Sequence, residues 1–304
     1  MSLRTPILAA LACLVVAASA SGDDPRWDSV ASWVYQLTNY RDDRLDELAA
    51  TDFDLAVIDL ARDGEGDFFT PGEIAALRAA GKVVLAYFEI GAIEDYRPEW
   101  GDVPAELKAG PVDGWPQEQY VKYWDERWWP VVQGRVDRAL AAGFDGAYLD
   151  MLTTYDELPD SDVDHEERAR RMVELVVRLS RHAKSKNPAF KIVPQNCPEL
   201  ATWSFWDPAS GKRHAERYLA AIDGLGLESV FFIAHDKPAE AAWCRENRAN
   251  ATAIKQAGKL VLGVDYAKQP ANIAAACRRQ RELGFVPLAS MRELDRVPAA
   301  IGAE

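Results

Sequence analysis

Acidic residues recur at the carboxyl ends of short apolar runs in this 304-residue sequence. The five residues are Asp59, Glu89, Asp150, Glu228 and Asp265. An ionised carboxylate that is buried without partners is strongly destabilising, so acids should not accumulate in apolar segments by chance. A helix cap or an ion pair explains any single one of them equally well. The set of five indicates a polar site that solvent can reach.

Crowded carboxyl groups raise one another's pKa, so one group can hold a proton near neutral pH while another stays ionised. Glycoside hydrolysis requires this division, because one acid protonates the leaving oxygen while a second carboxylate attacks the sugar or activates water. Asp150 and Glu228 are the best candidates for such a catalytic pair.

Residues that could bind a sugar lie near the same ends. Two of the apolar runs contribute amides, namely Gln36 in the first and Gln195 with Asn196 in the fifth. Aromatic side chains could stack on sugar rings or hydrogen-bond to their hydroxyl groups. Core packing is the alternative role for each aromatic, and we prefer it for Trp33 and Trp128. The aromatic candidates are Tyr35, Tyr87, Tyr96, Trp124, Tyr148 and Tyr266.

The elements that must position these side chains alternate between short apolar strands and amphipathic helices. Strands separated by helices run parallel, because each crossover returns the chain to the same edge of the sheet. Eight such units predict an α/β fold with a single closed (β/α)8 barrel, the TIM barrel. The predicted strands span 32–38, 55–60, 83–90, 146–151, 191–195, 224–229, 260–266 and 285–290.

A long segment, 93–128, follows the third predicted strand and is rich in proline, tryptophan and tyrosine. Barrel active sites are built from the loops that follow the strands, so this insertion is expected to form a wall of the cleft. The sequence contains no GxGxxG or P-loop motif that would mark a nucleotide site.

The first twenty residues have the features of an export signal: Arg4, an apolar run over 6–18, and a small-residue cleavage site at 18–20. We predict a signal peptide over 1–20 and one barrel domain over 21–304, in a secreted, periplasmic or extracellular protein. A retained membrane anchor is the alternative. The formal net charge of −13 disfavours nucleic acid and anionic membranes as partners.

Cysteine and histidine spacing predicts no metal site, and no organic cofactor is expected. Outside the signal segment the cysteines are Cys197, Cys244 and Cys277. In an oxidising compartment we expect one disulfide, between Cys244 and Cys277, and one free thiol.

At these acids and aromatics the sequence resembles the endo-α-1,4-polygalactosaminidase-like family, glycoside hydrolase family 114. The resemblance extends from about Trp33 to Asp295. It is carried by ordered blocks at 33–37, 54–59, 85–91, 94–97, 120–125, 143–150, 195–196, 223–224 with Glu228, and 264–266.

The resemblance implies a barrel that cleaves an α-1,4-linked galactosamine polysaccharide with retention of configuration. By position, Asp150 would be the nucleophile and Glu228 the general acid/base. A cationic galactosamine polymer would suit the acidic chain as a partner. The residues implied or chosen above as substrate-binding are Tyr35, Asp59, Tyr87, Glu89, Lys122, Tyr148, Gln195, Asn196, Asp265 and Tyr266.

Two other functions stay open at this point. A barrel that binds polysaccharide without cleaving it would show the same aromatic-lined mouth, although binding alone does not require two facing carboxyl groups. A divalent cation held by the strand-end acids is the third interpretation, because hard cations accept carboxylate oxygens.

Overall fold

Strands and helices alternate along the residues that the computed structural model describes, which are 24–158, 161–203, 206–207, 212–234 and 236–298. The predicted signal peptide, 1–20, lies outside these residues. The strands are β1 (Trp33–Tyr35), β2 (Leu55–Asp59), β3 (Val83–Glu89), β4 (Ala92–Glu94), β5 (Lys108–Val112), β6 (Trp115–Val121), β7 (Gly146–Asp150), β8 (Lys191–Pro194), β9 (Trp206–Asp207), β10 (Lys212–Arg213), β11 (Gly224–Glu228), β12 (Phe232–Ile233), β13 (Lys237–Pro238), β14 (Leu260–Tyr266) and β15 (Val286–Ser290).

The α-helices are α1 (Pro25–Asp28), α2 (Asp46–Ala49), α3 (Pro71–Ala79), α4 (Trp129–Ala142), α5 (Thr154–Glu157), α6 (His165–Lys186), α7 (His214–Ala221), α8 (Ala242–Gln256) and α9 (Pro270–Glu282). Their ends follow local rules. Thr70 and Glu73 form a capping box at the start of α3, and α4 stops at Gly143, which adopts a φ of 87°. Short 3-10 helices occupy Arg41–Asp43, Pro98–Gly101, Ala105–Leu107 and Pro198–Ala201.

Eight parallel strands form the barrel, as predicted. They pair in the order β1-β2-β3-β7-β8 and, separately, β11-β14-β15. A parallel bridge between Gln195 and Gly226 joins the two groups. On the other side, the indole Nε1 of Trp33 in β1 donates to the carbonyl of Val286 in β15 at 3.1 Å. The fold is therefore a (β/α)8 barrel.

Both faces of the barrel strands are apolar because both are covered. Valine, leucine and aromatic side chains such as Leu55, Val57, Leu85, Val193 and Leu262 fill the interior. A larger cluster fills the layer between strands and helices, where α6 contributes Met172, Val176 and Leu179. The barrel interior is thus filled by side chains, and the cavity lies at the carboxyl ends of the strands.

The segment after β3 is an antiparallel sheet with strand order β4-β6-β5. Only two residues separate its first strand from the end of β3, so it rises directly from the barrel mouth. Within the described residues, no helix combines the length and apolar character that crossing a bilayer requires.

The predicted disulfide between Cys244 and Cys277 is wrong. Both thiols are free and buried, as is that of Cys197. Cys244 belongs to α8 and Cys277 to α9, and each is among the buried residues of its own helix. The two cysteines serve as small core residues of separate helices.

Candidate active site

A cavity of about 740 Å³ opens at the carboxyl ends of the barrel strands, within the size range of small-ligand sites. Its walls come from the strand ends and from the insertion that carries β4, β5 and β6. Eight of the predicted site residues line it: Tyr35, Asp59, Tyr87, Glu89, Asp150, Gln195, Glu228 and Tyr266.

Asp150 ends β7 and receives two hydrogen bonds. The Tyr87 hydroxyl donates to Oδ2 at 2.7 Å, and the backbone amide of Met151 donates to Oδ1 at 2.7 Å. Burial, followed by the negative charge of Glu228, raises the pKa of Asp150 to about 7, and the two hydrogen bonds oppose this rise. Asp150 therefore interacts electrostatically with Glu228 and titrates near neutral pH.

Glu228 ends β11 and is also held by two donors. The Tyr266 hydroxyl donates to Oε1, and the side-chain amide of Asn196 donates to Oε2 at 2.9 Å. In return, the backbone amide of Glu228 donates to the Asn196 side-chain oxygen at 3.1 Å. Asn196 does not line the cavity itself, and its observed role is to fix the orientation of Glu228.

The backbone bends sharply at the ends of these strands. Met151 follows Asp150 with a φ of 60°, Ser229 follows Glu228 with a φ of 53°, and Asn196 follows Gln195 with a φ of 62°. Left-handed conformations at non-glycine residues cost about 1–3 kcal/mol each and concentrate at functional sites. At Asp150 the bend brings the next amide onto the carboxylate.

Tyrosine rings form the floor beneath the carboxyl groups. The Tyr35 and Tyr148 rings lie 5.3 Å apart between centroids, and the Tyr35 hydroxyl donates to Gln195 at 2.9 Å. Tyr148 is fully buried and reaches from β7 to β11, because a Cβ atom on Gly226 would fall 1.8 Å from its hydroxyl. The floor thus joins β7 to β11 one layer below Asp150 and Glu228.

A second group of charges lies beside the pair and was not predicted from the sequence. Arg97, from the insertion, binds both carboxylate oxygens of Asp59 at 2.9 Å and both of Glu94 at 2.9 Å. The only sequence signal was that 94–97 forms one of the blocks that carry the family resemblance. The contact between Arg97 and Asp59 depends on how the insertion folds, which the sequence pattern does not predict.

The remaining acids of the cavity are shifted in opposite directions. Burial would raise the pKa of Glu94, but the hydrogen bond with Glu89 and the charge of Arg97 lower it to about 2. Burial, then the charges of Glu94 and Glu118, raises the pKa of Glu89. Burial, then the charges of Glu94 and Asp150, raises the pKa of Glu118 to about 9. At neutral pH, Glu94 is therefore ionised and Glu118 is protonated.

Besides Asn196, three predicted site residues are absent from the cavity lining. Lys122 is exposed to solvent and is absent from the cavity lining. Asp265 is fully buried and accepts hydrogen bonds from the backbone amides of Phe231 and Phe232, at 2.6 and 2.7 Å. Tyr148 forms the floor rather than the lining. Among the residues described, no three acids, cysteines or histidines are arranged as a possible metal site.

Two exposed aromatics mark the rim. Trp115 is 50% exposed and Tyr96 is 39% exposed, and both line the cavity. The guanidinium of Arg292, which follows β15, lies 5.4 Å from the Trp115 ring centre. The insertion therefore reaches across the mouth from β3 toward the end of β15, and it leaves an apolar ring face at the entrance.

An eight-stranded barrel with two hydrogen-bonded carboxyl groups facing a cavity at its mouth has the architecture of a carbohydrate-cleaving hydrolase. The model of glycoside-hydrolase family GH114 matches residues 16–302. The chain belongs to this family and is a glycoside hydrolase.

Similar proteins match most of the length of this chain. An uncharacterised protein of Deinococcus radiodurans is 36% identical over 283 residues, which cover 90% of this chain and 84% of the relative. Two solved structures share the fold at 17% identity. Ega3 of Aspergillus fumigatus, solved with galactosamine, has a TM-score of 0.68 and covers 89% of this chain and 95% of its own. The glycoside hydrolase domain of PelA from Pseudomonas aeruginosa has a TM-score of 0.67, with coverage of 88% and 96%.

Proposed function

We propose that this protein is a secreted or periplasmic hydrolase of α-1,4-linked galactosamine polysaccharide that acts with retention of configuration. The observation that carries the proposal is the pair formed by Asp150 and Glu228, each held by two donors at the edge of one cavity. Ega3, which shares the fold, was solved with galactosamine bound. The apolar segment at 6–18 supports export.

In the first step, a carboxylate oxygen of Asp150 attacks the anomeric carbon while the glycosidic C–O bond breaks. Glu228 gives its proton to the leaving oxygen. In the second step, water attacks the anomeric carbon, Glu228 takes the water proton, and the bond to Asp150 breaks. The pKa of Asp150, about 7, allows its carboxyl group to be ionised for this attack at neutral to mildly alkaline pH.

The charge of the cavity supports a cationic substrate. Within the described residues its lining includes nine acidic side chains and two arginines, so a ligand with ammonium groups is favoured over a neutral or anionic one. The exposed ring of Trp115 at the rim offers a face on which a sugar can stack.

The proposal is tested by hydrolysis of galactosaminan, partly acetylated galactosaminan and a neutral α-galactan. Asp150→Asn and Glu228→Gln should each lower kcat/KM on galactosaminan by about 10³-fold or more while the circular dichroism spectrum is unchanged. Asp102→Asn, an exposed acid of the insertion, is the matched control and should keep the wild-type rate.

Azide separates the two roles. With Asp150→Ala it should restore turnover and give a glycosyl azide of inverted configuration, whereas with Glu228→Ala the product should keep the configuration of the substrate. Wild-type protein that binds galactosaminan without cleaving it would refute the proposed activity. Wild-type rates in either carboxyl variant would remove that residue from the mechanism.

A further inference from the structure

Two glutamates face each other across the insertion sheet. Glu94 in β4 and Glu118 in β6 are register partners. They are only 6% and 7% exposed, respectively, and both line the cavity. Like charges directly opposite each other destabilise an antiparallel pair. A bound cation, or a proton kept on one of the two glutamates, therefore stabilises this pair of strands.

The arginine of the insertion that lines the cavity, Arg97, is already in ion pairs. Arg97 pairs with Glu94 and Asp59. Among the described residues, neither Glu89 nor Glu118 forms an ion pair, and each has one buried carboxyl oxygen without a hydrogen-bond partner, Oε2 of Glu89 and Oε1 of Glu118. Glu89 is 2% exposed. Buried oxygens without partners are rare, and in a cavity wall they indicate a ligand that donates hydrogen bonds.

We propose that Glu118, together with Glu89, binds the ammonium group of an amino sugar held beside the catalytic pair and selects free amines over N-acetylated sugars. The inference rests on the proposed function for its substrate. An ammonium group brings a positive charge and three N–H donors to these oxygens. An N-acetyl group brings one donor, no charge and a larger volume.

Binding of the amine should displace a proton. Burial and the charges of Glu94 and Asp150 keep the pKa of Glu118 near 9, so the side chain is protonated at pH 6.5 and must ionise to pair with ammonium. The charged groups that act on it are Glu94 and Arg97 of the insertion, Asp150 of β7 and Glu157 of α5. These groups are all unchanged in a Glu118→Gln variant, which therefore isolates the Glu118 proton.

The first experiment compares wild type, Glu118→Gln and Glu106→Gln on galactosamine oligosaccharides and on their fully N-acetylated counterparts. Glu106 is an exposed acid of the same insertion and serves as the matched control. The measured quantity is the ratio of kcat/KM for the amine substrate to that for the acetylated substrate. We expect Glu118→Gln to lower this ratio about 10- to 100-fold, since a charged hydrogen bond is lost, and Glu106→Gln to keep it. A fall of less than fivefold in Glu118→Gln overturns the proposal.

The second experiment uses calorimetry with galactosamine and N-acetylgalactosamine at pH 6.5, in buffers of different ionisation enthalpy. Wild type should bind galactosamine more tightly and release a proton, and Glu118→Gln should release at least half a proton less. The wild-type measurement needs no variant, so absence of proton release by wild type overturns the inference even if the variant fails to fold. Failure of the wild type to hydrolyse any galactosamine polymer would refute the proposed function, while calorimetry would still judge the ammonium site.

Discussion

Replacement of Asp150 by asparagine should stabilise the protein at alkaline pH while it removes activity. The pKa of Asp150 is raised from 3.8 to about 7, first by burial and then by the charge of Glu228. The folded protein therefore holds a proton that the unfolded chain releases. The stability from this proton is fully present below about pH 4 and is lost as the pH rises through 7. Asparagine is neutral throughout and avoids this loss.

The magnitude follows from the shift. A rise of about three pKa units corresponds to about 4 kcal/mol, which is a ceiling because Asp150 is partly exposed. We therefore expect the free energy of unfolding of Asp150→Asn, relative to that of wild type, to increase by about 2–4 kcal/mol as the pH rises from 4 to 8. The asparagine can keep both contacts, since its oxygen can accept from the Met151 amide and its NH2 group can donate to the Tyr87 hydroxyl oxygen.

The measurement is urea unfolding of wild type and Asp150→Asn at several values from pH 4 to pH 8. Other titrating groups are present in both proteins, so they largely cancel in the difference. Asp102→Asn, at an exposed position, should show a difference from wild type that does not change with pH. A change of less than about 1 kcal/mol for Asp150→Asn across this range would contradict the claim that Asp150 is destabilised when ionised.

Two further substitutions test the structure around the site. Arg97→Met leaves two buried carboxylates without their cation and should cost about 3–5 kcal/mol in urea unfolding; a neutral result would show that these acids are protonated in the folded protein. Gly226→Ala places a Cβ atom 1.8 Å from the Tyr148 hydroxyl and should cost about 1–3 kcal/mol or more. Gly134→Ala, which meets nothing within 4 Å, is its control, and equal stability of these two alanine variants would mean that the Tyr148 ring can move aside.

The barrel and the meeting of acidic side chains at its mouth could be predicted from the sequence because both depend on periodic patterns. Apolar runs separated by helices require parallel strands, and parallel strands bring their carboxyl ends to one edge. Acids at those ends, such as Asp150 and Glu228, are therefore expected around one opening of the barrel. The alternation along a strand also separates neighbours: Tyr266 lines the cavity, and the adjacent Asp265 is buried against backbone amides on the other face.

The insertion could not be predicted in the same way. Its strands are joined by irregular segments, and the pairing of Glu94 with Glu118 depends on a register that no periodic pattern sets. The bidentate contact of Arg97 with Asp59 spans 38 positions. Lys122 was expected in the site because it lies in the block 120–125 that carries the family resemblance. The structure instead exposes its side chain to solvent.

The Tyr148 hydroxyl lies against Gly226, so the tyrosine fills the space between β7 and β11, the fourth and sixth strands of the barrel. Each of these residues lies two positions before one of the proposed catalytic acids, so the phenol ring supports the layer directly beneath Asp150 and Glu228. A side chain at position 226 would clash with the Tyr148 hydroxyl, and a shorter side chain at position 148 would leave a void under the two acids. A substitution at either buried position is therefore expected to reach the proposed reaction centre from one layer beneath it.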